Sequence, residues 1–128
     1  MFRCVTLAAA LCAAMPAVAQ VAAPTRTFPS NALRGDLVVL QPPEILLNGQ
    51  VSRLAPGARI RDMQNMLQLS GALVGLRFLV NYTHDAAGQP LQVWILTPAE
   101  AARQPWPVTD SQSQSWFFDA AAQQWTKP

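Results

Sequence analysis

Tight-turn signals cut the middle of this chain into short extended runs, and no long helix fits between them. Asn48-Gly49 separates the apolar residues 45–47 from Val51, and it is the strongest short hairpin signal, because a type I′ turn needs positive φ at both central residues. Pro56-Gly57 supplies a second turn, with proline's fixed φ followed by a glycine that tolerates positive φ. In "VNYTHDAAGQPLQVWIL" a third turn joins residues 77–84 to 90–97, with Asp85 first and Gly88 fourth in a type I geometry. Strands flank all three turns, and alternation places Phe78, Val80 and Tyr82 on one face of their strand and Leu91, Val93 and Ile95 on one face of theirs. Leu79, Trp94 and Leu96 point the other way, so the second face also needs a cover.

Two segments interrupt this pattern. In "DMQNMLQLSGALVGL" helical and strand spacing compete, and Gly71 and Gly75 exclude a long helix; a short helical turn followed by extended chain is expected. In "TPAE", Thr97 as N-cap, Pro98 at N1 and Glu100 at N3 form a capping box that opens a short helix over residues 98–104, stopped by Pro105. Residues 105–114 have a linker's Pro, Ser and Gln content, and residues 115–128 form an aromatic tail. Residues 20–31 read as an extended lead-in. The expected fold is mainly β, with α+β as the alternative. It is a small barrel or open roll of five or six strands spanning residues 32–104, with one short helix at its C-terminal end.

The first residues, "MFRCVTLAAALCAAMPAVAQ", have the layout of a secretory signal peptide: a charged start, a short apolar run and a small-residue cleavage site, with cleavage expected between Ala19 and Gln20. Removing 19 of the 128 residues leaves 109, enough for one small domain. Both cysteines leave with the signal, so the mature chain forms no disulfide and no thiolate zinc site and has no cysteine nucleophile. The basic count falls from 9 to 8 against 7 acids, a net charge of +1, which argues against a nucleic-acid binder. The mature chain has no further run long enough to span a membrane. A periplasmic or extracellular location is expected.

Little in the chain resembles a catalytic constellation. His84 is the single histidine; beside Asp85 it is a weak candidate base, although a turn-flanking histidine is the commoner arrangement. The acids Asp36, Glu44, Asp62, Asp85, Glu100, Asp110 and Asp119 are scattered singly. No serine elbow, phosphate loop, calcium loop or metal motif is present, and no cofactor is expected.

Two groups remain as binding candidates. Arg53, Arg59 and Arg61 surround the Pro56-Gly57 turn and form either an anion site or a solvated face partnered by Asp62 and Glu44; the solvated face is favoured. Trp116, Phe117 and Phe118 either fold back over Leu79, Trp94 and Leu96 or anchor another protein. Folding back is favoured, because monomers rarely leave such a patch open.

The segments "LNG", "LAPGARIRD", "VNY" and "VWILT", taken as a set over residues 28–104, resemble a group of small, uncharacterised exported proteins of Gram-negative bacteria. The resemblance implies export and one compact domain, and it carries over no catalytic residue. The leading functional expectation is a non-catalytic binding module of the bacterial envelope, contacting another envelope protein or an anionic envelope component through Trp94 and the tail aromatics. The alternatives are a small periplasmic hydrolase or ligand-binding enzyme using His84, Asp85 and Arg59, and a structural component that self-associates through strand edges.

Overall fold

The computed structural model describes residues 25–128, so the expected signal peptide, its cleavage site and both cysteines lie outside the described residues. The fold is mainly β. Strands β1 (Leu33–Val39), β2 (Glu44–Leu47), β3 (Gln50–Arg53), β4 (Arg59–Arg61), β5 (Leu67–Gln68), β6 (Arg77–His84) and β7 (Pro90–Ile95) form one sheet in the order β3-β2-β1-β6-β7-β4-β5. Neighbours are antiparallel except β4 and β7, which run parallel. The short strands β8 (Phe117–Asp119) and β9 (Gln124–Thr126) make a separate two-stranded ribbon.

The turn residues produce these strands as their chemistry requires. Asn48 and Gly49 adopt φ of 53° and 79°, and Leu47 pairs with Gln50 directly across the turn. The Gly88 amide donates to the Asp85 carbonyl at 3.0 Å, while Asp85 Oδ1 accepts from the amides of Ala87 and Gln89. A register shift between Thr83 and His84 marks a bulge beside this turn.

One face of the sheet carries the alternating apolar residues. Leu33, Leu37, Val39, Ile45, Ile60, Val80, Tyr82, Val93 and Ile95 are buried together, and Leu54 and Leu73 close the ends of the cluster. The sheet rolls around this core. The Ala55 amide donates to the Pro90 carbonyl, tying the connection between β3 and β4 to the start of β7, and Val74 bridges to Val39. Gly35 sits under the roll; a Cβ there would come within 3.0 Å of both the Leu47 and Tyr82 side chains, which fill the space instead.

The other face is covered by segments remote in sequence. Phe28, Ala32, Leu96, Trp106 and Trp125 form a second buried cluster, with Trp94, Ala101, Trp116 and Phe118 packed against it. The lead-in and residues 105–107 therefore belong to the packed structure. Trp106 and Pro107 are buried, and the Pro107 carbonyl accepts from the Arg34 amide at 2.8 Å, so this stretch is no spacer. Helix α2 (Asp110–Ser115) follows, with Thr109 as its N-cap.

Two further elements differ from the sequence expectation. Helix α1 (Pro98–Ala101) has the full capping box but only one turn: it ends at Ala101, ahead of the expected stop at Pro105, and the carbonyls of Glu100, Ala101 and Arg103 at and beyond its end accept from Arg34. Residues 63–76 run in the opposite order to that expected. Asp62 Oδ1 accepts from the amides of Gln64 and Met66, closing a tight turn that sets Leu67 opposite Arg61, and the helical turn Ser70–Leu73 comes afterwards.

Candidate functional site

Arg34, Asn81, Trp94 and Arg61 lie side by side across β1, β6, β7 and β4 on the outer face of the sheet. This row is the floor on which the covering layer rests. Glu100, delivered by the capping box, is fully buried above it. Its carboxylate accepts from Arg26 Nη2 at 2.7 Å, Arg26 Nε at 3.0 Å, the Arg26 amide at 3.0 Å and the Thr97 amide at 2.9 Å. Burial pushes this carboxyl up, and the Arg26 side chain and the two amides together more than reverse that, holding it below the usual glutamate range. Arg26 also donates to the carbonyls of Asp62 and Ile95, and Arg103 donates to the Arg26 carbonyl. The lead-in is thus tied to α1 and to the sheet by one network.

Arg34 is a buried cation without an ion-pair partner among the described residues. It donates to Asn81 Oδ1 at 3.1 Å and to the carbonyls of Glu100, Ala101 and Arg103 at 3.2, 3.3 and 2.7 Å. These carbonyls form the negative end of α1, and Trp106 lies against the guanidinium at 5.1 Å. Burial, reinforced by the nearby Arg103 cation, lowers its pKa to about 10.

Aromatic rings complete the layer. Phe28 meets Trp94 and Trp106 edge-on at 5.5 and 5.9 Å, and Phe118 stacks on Trp125 at 4.5 Å. Gln123 clasps the Phe28 backbone, accepting from its amide at 2.7 Å and donating to its carbonyl at 3.3 Å. Of the three adjacent tail aromatics, Phe118 and Trp116 pack on the domain, while Phe117 is 71% exposed.

Four clefts mark the surface of the described residues, a small one between residues 102–105 and 122–125, another at Asp36 and Arg77, and two larger ones beside the outer-face row. A groove of about 470 Å³ lies between Trp94, Arg61, Asn65 and the lead-in residues Thr25, Arg26 and Thr27. A second, of about 340 Å³, is lined by Arg34, Gln104, Pro105, Trp106, Val108, Gln112, Trp116 and Lys127. Lys127 Nζ stands 5.3 Å from the Trp116 ring. The second cleft has two cations and no acidic side chain in its lining.

The remaining sequence candidates are dispersed. His84 Nδ1 faces the Asp85 carbonyl at 2.8 Å, and Nε2 faces the Asp110 carboxylate at 2.7 Å. Both nitrogens face acceptors, which favours the protonated ring, and its pKa is raised by the Asp85 carbonyl and then by Asp110. The Asp85 carboxylate is engaged by its own turn. None of the four clefts described by the structure is lined by His84, Asp85 or Arg59. Arg59 and Arg61 share the outer face with Trp94, and Arg61 Nη1 donates to Gln92 at 3.0 Å. Arg53 sits on the other edge strand, opposite Glu44. Asp62 is occupied by the turn amides and Gln68. No group of His, Cys, Asp and Glu side chains suited to a metal ion occurs among the described residues, and no helix there is long and apolar enough to cross a membrane.

One surface stands apart. Residues 63–76 contain no charged side chain, and Met66, Leu67, Leu69, Val74 and Leu76 are exposed, Leu69 by 82%. They run along β5, one of the two edges of the large sheet, and on to the start of β6.

The chain matches no protein-family model, no curated protein and no solved structure.

Sequence reading missed Arg26, Arg34 and Arg103. Glu100 was legible as a cap, but nothing local shows that its carboxylate also receives an arginine 74 positions away. The usable signal was Arg34 and Asn81, polar residues flanked by apolar neighbours within strands, since polar residues buried there need partners.

Proposed function

We propose that this chain is a non-catalytic binding module of the bacterial envelope that docks another envelope protein along the edge strand β5. The observation that carries this reading is the uncharged, exposed strip over residues 63–76. An edge strand presents unpaired backbone groups, and soluble proteins ordinarily guard such edges with charge, proline or a covering segment. Here the flanking side chains are Met66, Leu67 and Leu69, adaptable and apolar, which fits a partner contributing a strand and an apolar surface. The engagement of both His84 nitrogens by internal acceptors favours binding over general-base chemistry. The secretory layout of the first residues supports an envelope location.

The test places a photo-crosslinking side chain at position 69 of the full-length chain and, as a control, at exposed position 119 in the exporting host. A discrete adduct from position 69, absent from 119 and lost on Met66→Asp, is the expected result. An adduct of twice the chain's mass points instead to self-association. No adduct above the control removes the docking reading. N-terminal sequencing of the protein from the envelope fraction, beginning at Gln20, checks export separately.

A further inference from the structure

We propose that the cleft between Arg34, Lys127, Trp106 and Trp116 binds the carboxylate of a small acid that also carries a sugar or aromatic ring. This site is separate from the β5 edge and stands independently of the docking reading. Its lining supplies cations and amides but no acidic side chain, so an anion enters without like-charge repulsion. Arg34 has five N–H groups and four acceptors within the fold, all of them neutral oxygens. A buried guanidinium whose hydrogen-bond acceptors are all neutral, with the Glu100 carboxylate acting on it only from beyond hydrogen-bond distance, retains a net attraction for an anion that reaches it.

The Arg34 contacts also fix the size of the anion. With one guanidinium N–H left over, no fork remains to grip a phosphate from two sides, whereas a single carboxylate oxygen is satisfied by that N–H. Lys127 supplies the second charge. Gln112 Oε1 already accepts from the Val108 amide at 2.9 Å, which leaves the Gln112 amide NH₂ as a donor. The remaining walls, Trp106, Trp116, Pro105 and Val108, are apolar and partly flat, and they suit a ring lying against them. The volume of about 340 Å³ lies near the lower end for small-molecule sites.

Two sources carry this chemistry, an acidic sugar and the C-terminal residue of a peptide, and each has a neutral counterpart. The full mature chain is titrated with N-acetylmuramic acid against N-acetylglucosamine, and with N-acetylphenylalanine against its amide, while the indole N–H signal of Trp116 is followed by NMR. At least one acid is expected to shift that signal saturably and to bind about ten-fold more tightly than its neutral partner. Lys127→Ala, a change at an exposed residue, is expected to weaken the acid by about three- to ten-fold and leave the spectrum's dispersion intact. Which acid wins identifies the source. Equal binding of acid and neutral partner overturns the proposal. So does inorganic phosphate binding as tightly as either acid, an unmoved Trp116 signal, or unchanged affinity in Lys127→Ala.

Discussion

The inner face of the rolled sheet and the covered part of its outer face are both buried, yet they are held by different physics. The inner face is a continuous apolar cluster in which Leu37 lies opposite Phe78, Val80 opposite Ile95 and Tyr82 opposite Val93. The outer face rests on Arg34 and Asn81 and is covered by the lead-in, α1 and the tail, joined through a fully buried Glu100. Inner-face stability scales with apolar area and tolerates changes that conserve volume. Outer-face stability depends on each charge keeping its partner, since removing one member of a buried pair strands the other. The charged side chains of the outer face are therefore harder to exchange.

The largest expected effect breaks the outer face. Glu100→Ala removes the acceptor of Arg26, the reciprocal half of the capping box and the link between the lead-in and α1, and should cost about 3–5 kcal/mol in urea unfolding. A loss below about 1 kcal/mol would mean that solvent already screens the pair. Leu37→Ala is the inner-face counterpart. It should cost about 3 kcal/mol through transfer and cavity terms, with the outer-layer NMR signals little changed. Comparable disruption of both layers by Leu37→Ala would show that the faces do not act separately.

The same contrast explains what the sequence made legible. Alternation is a local property, so the hairpin over β6 and β7 and five of its six expected inner-face residues could be read from residues 77–97 alone; Leu91, beside the turn and its bulge, does not join the buried cluster. The capping box was equally local. The covering layer was not, because Gln123 with Phe28 and Arg26 with Glu100 are pairings 95 and 74 positions apart that no period announces. Residues 105–114 have the composition of a linker, and only the fold shows that Trp106 and Pro107 fill the space above Arg34. As for the sites, Trp116 and Phe118 pack on the outer layer beside Trp94 and Leu96, while Phe117 and Leu79, also expected to be covered, stay exposed. Both larger clefts depend on side chains from segments distant in sequence.

A smaller effect separates the two roles of the capping box. Thr97→Ala removes the hydroxyl that accepts from the Glu100 amide at 3.2 Å but leaves the Arg26 pair in place, and should cost about 1 kcal/mol. Its loss should be well below that of Glu100→Ala. If the two variants lose equal stability, the cap rather than the ion pair anchors the outer layer.

The smallest expected effect tests the point where the inner hairpin is fastened to the outer layer. His84, re-aimed by the bulge at the end of β6, pairs with Asp110 in the first turn of α2. The folded-state pKa of His84 is raised above its ordinary value of 6.5, so protonation favours the fold. The contribution is fully present below about pH 6.5 and is lost as pH rises through the elevated folded value. Both side chains are partly exposed, so its size should stay below about 1 kcal/mol. Urea unfolding at pH 5.5 and 8.5 should show the chain slightly more stable at the lower pH, and Asp110→Asn should shrink the difference. Because α2 also carries Gln112 of the Arg34 cleft, the Trp116 signal should move over the same pH range as the His84 ring. A His84 titration that leaves Trp116 unmoved would show the fastening to be local, with the two layers joined through Glu100 instead.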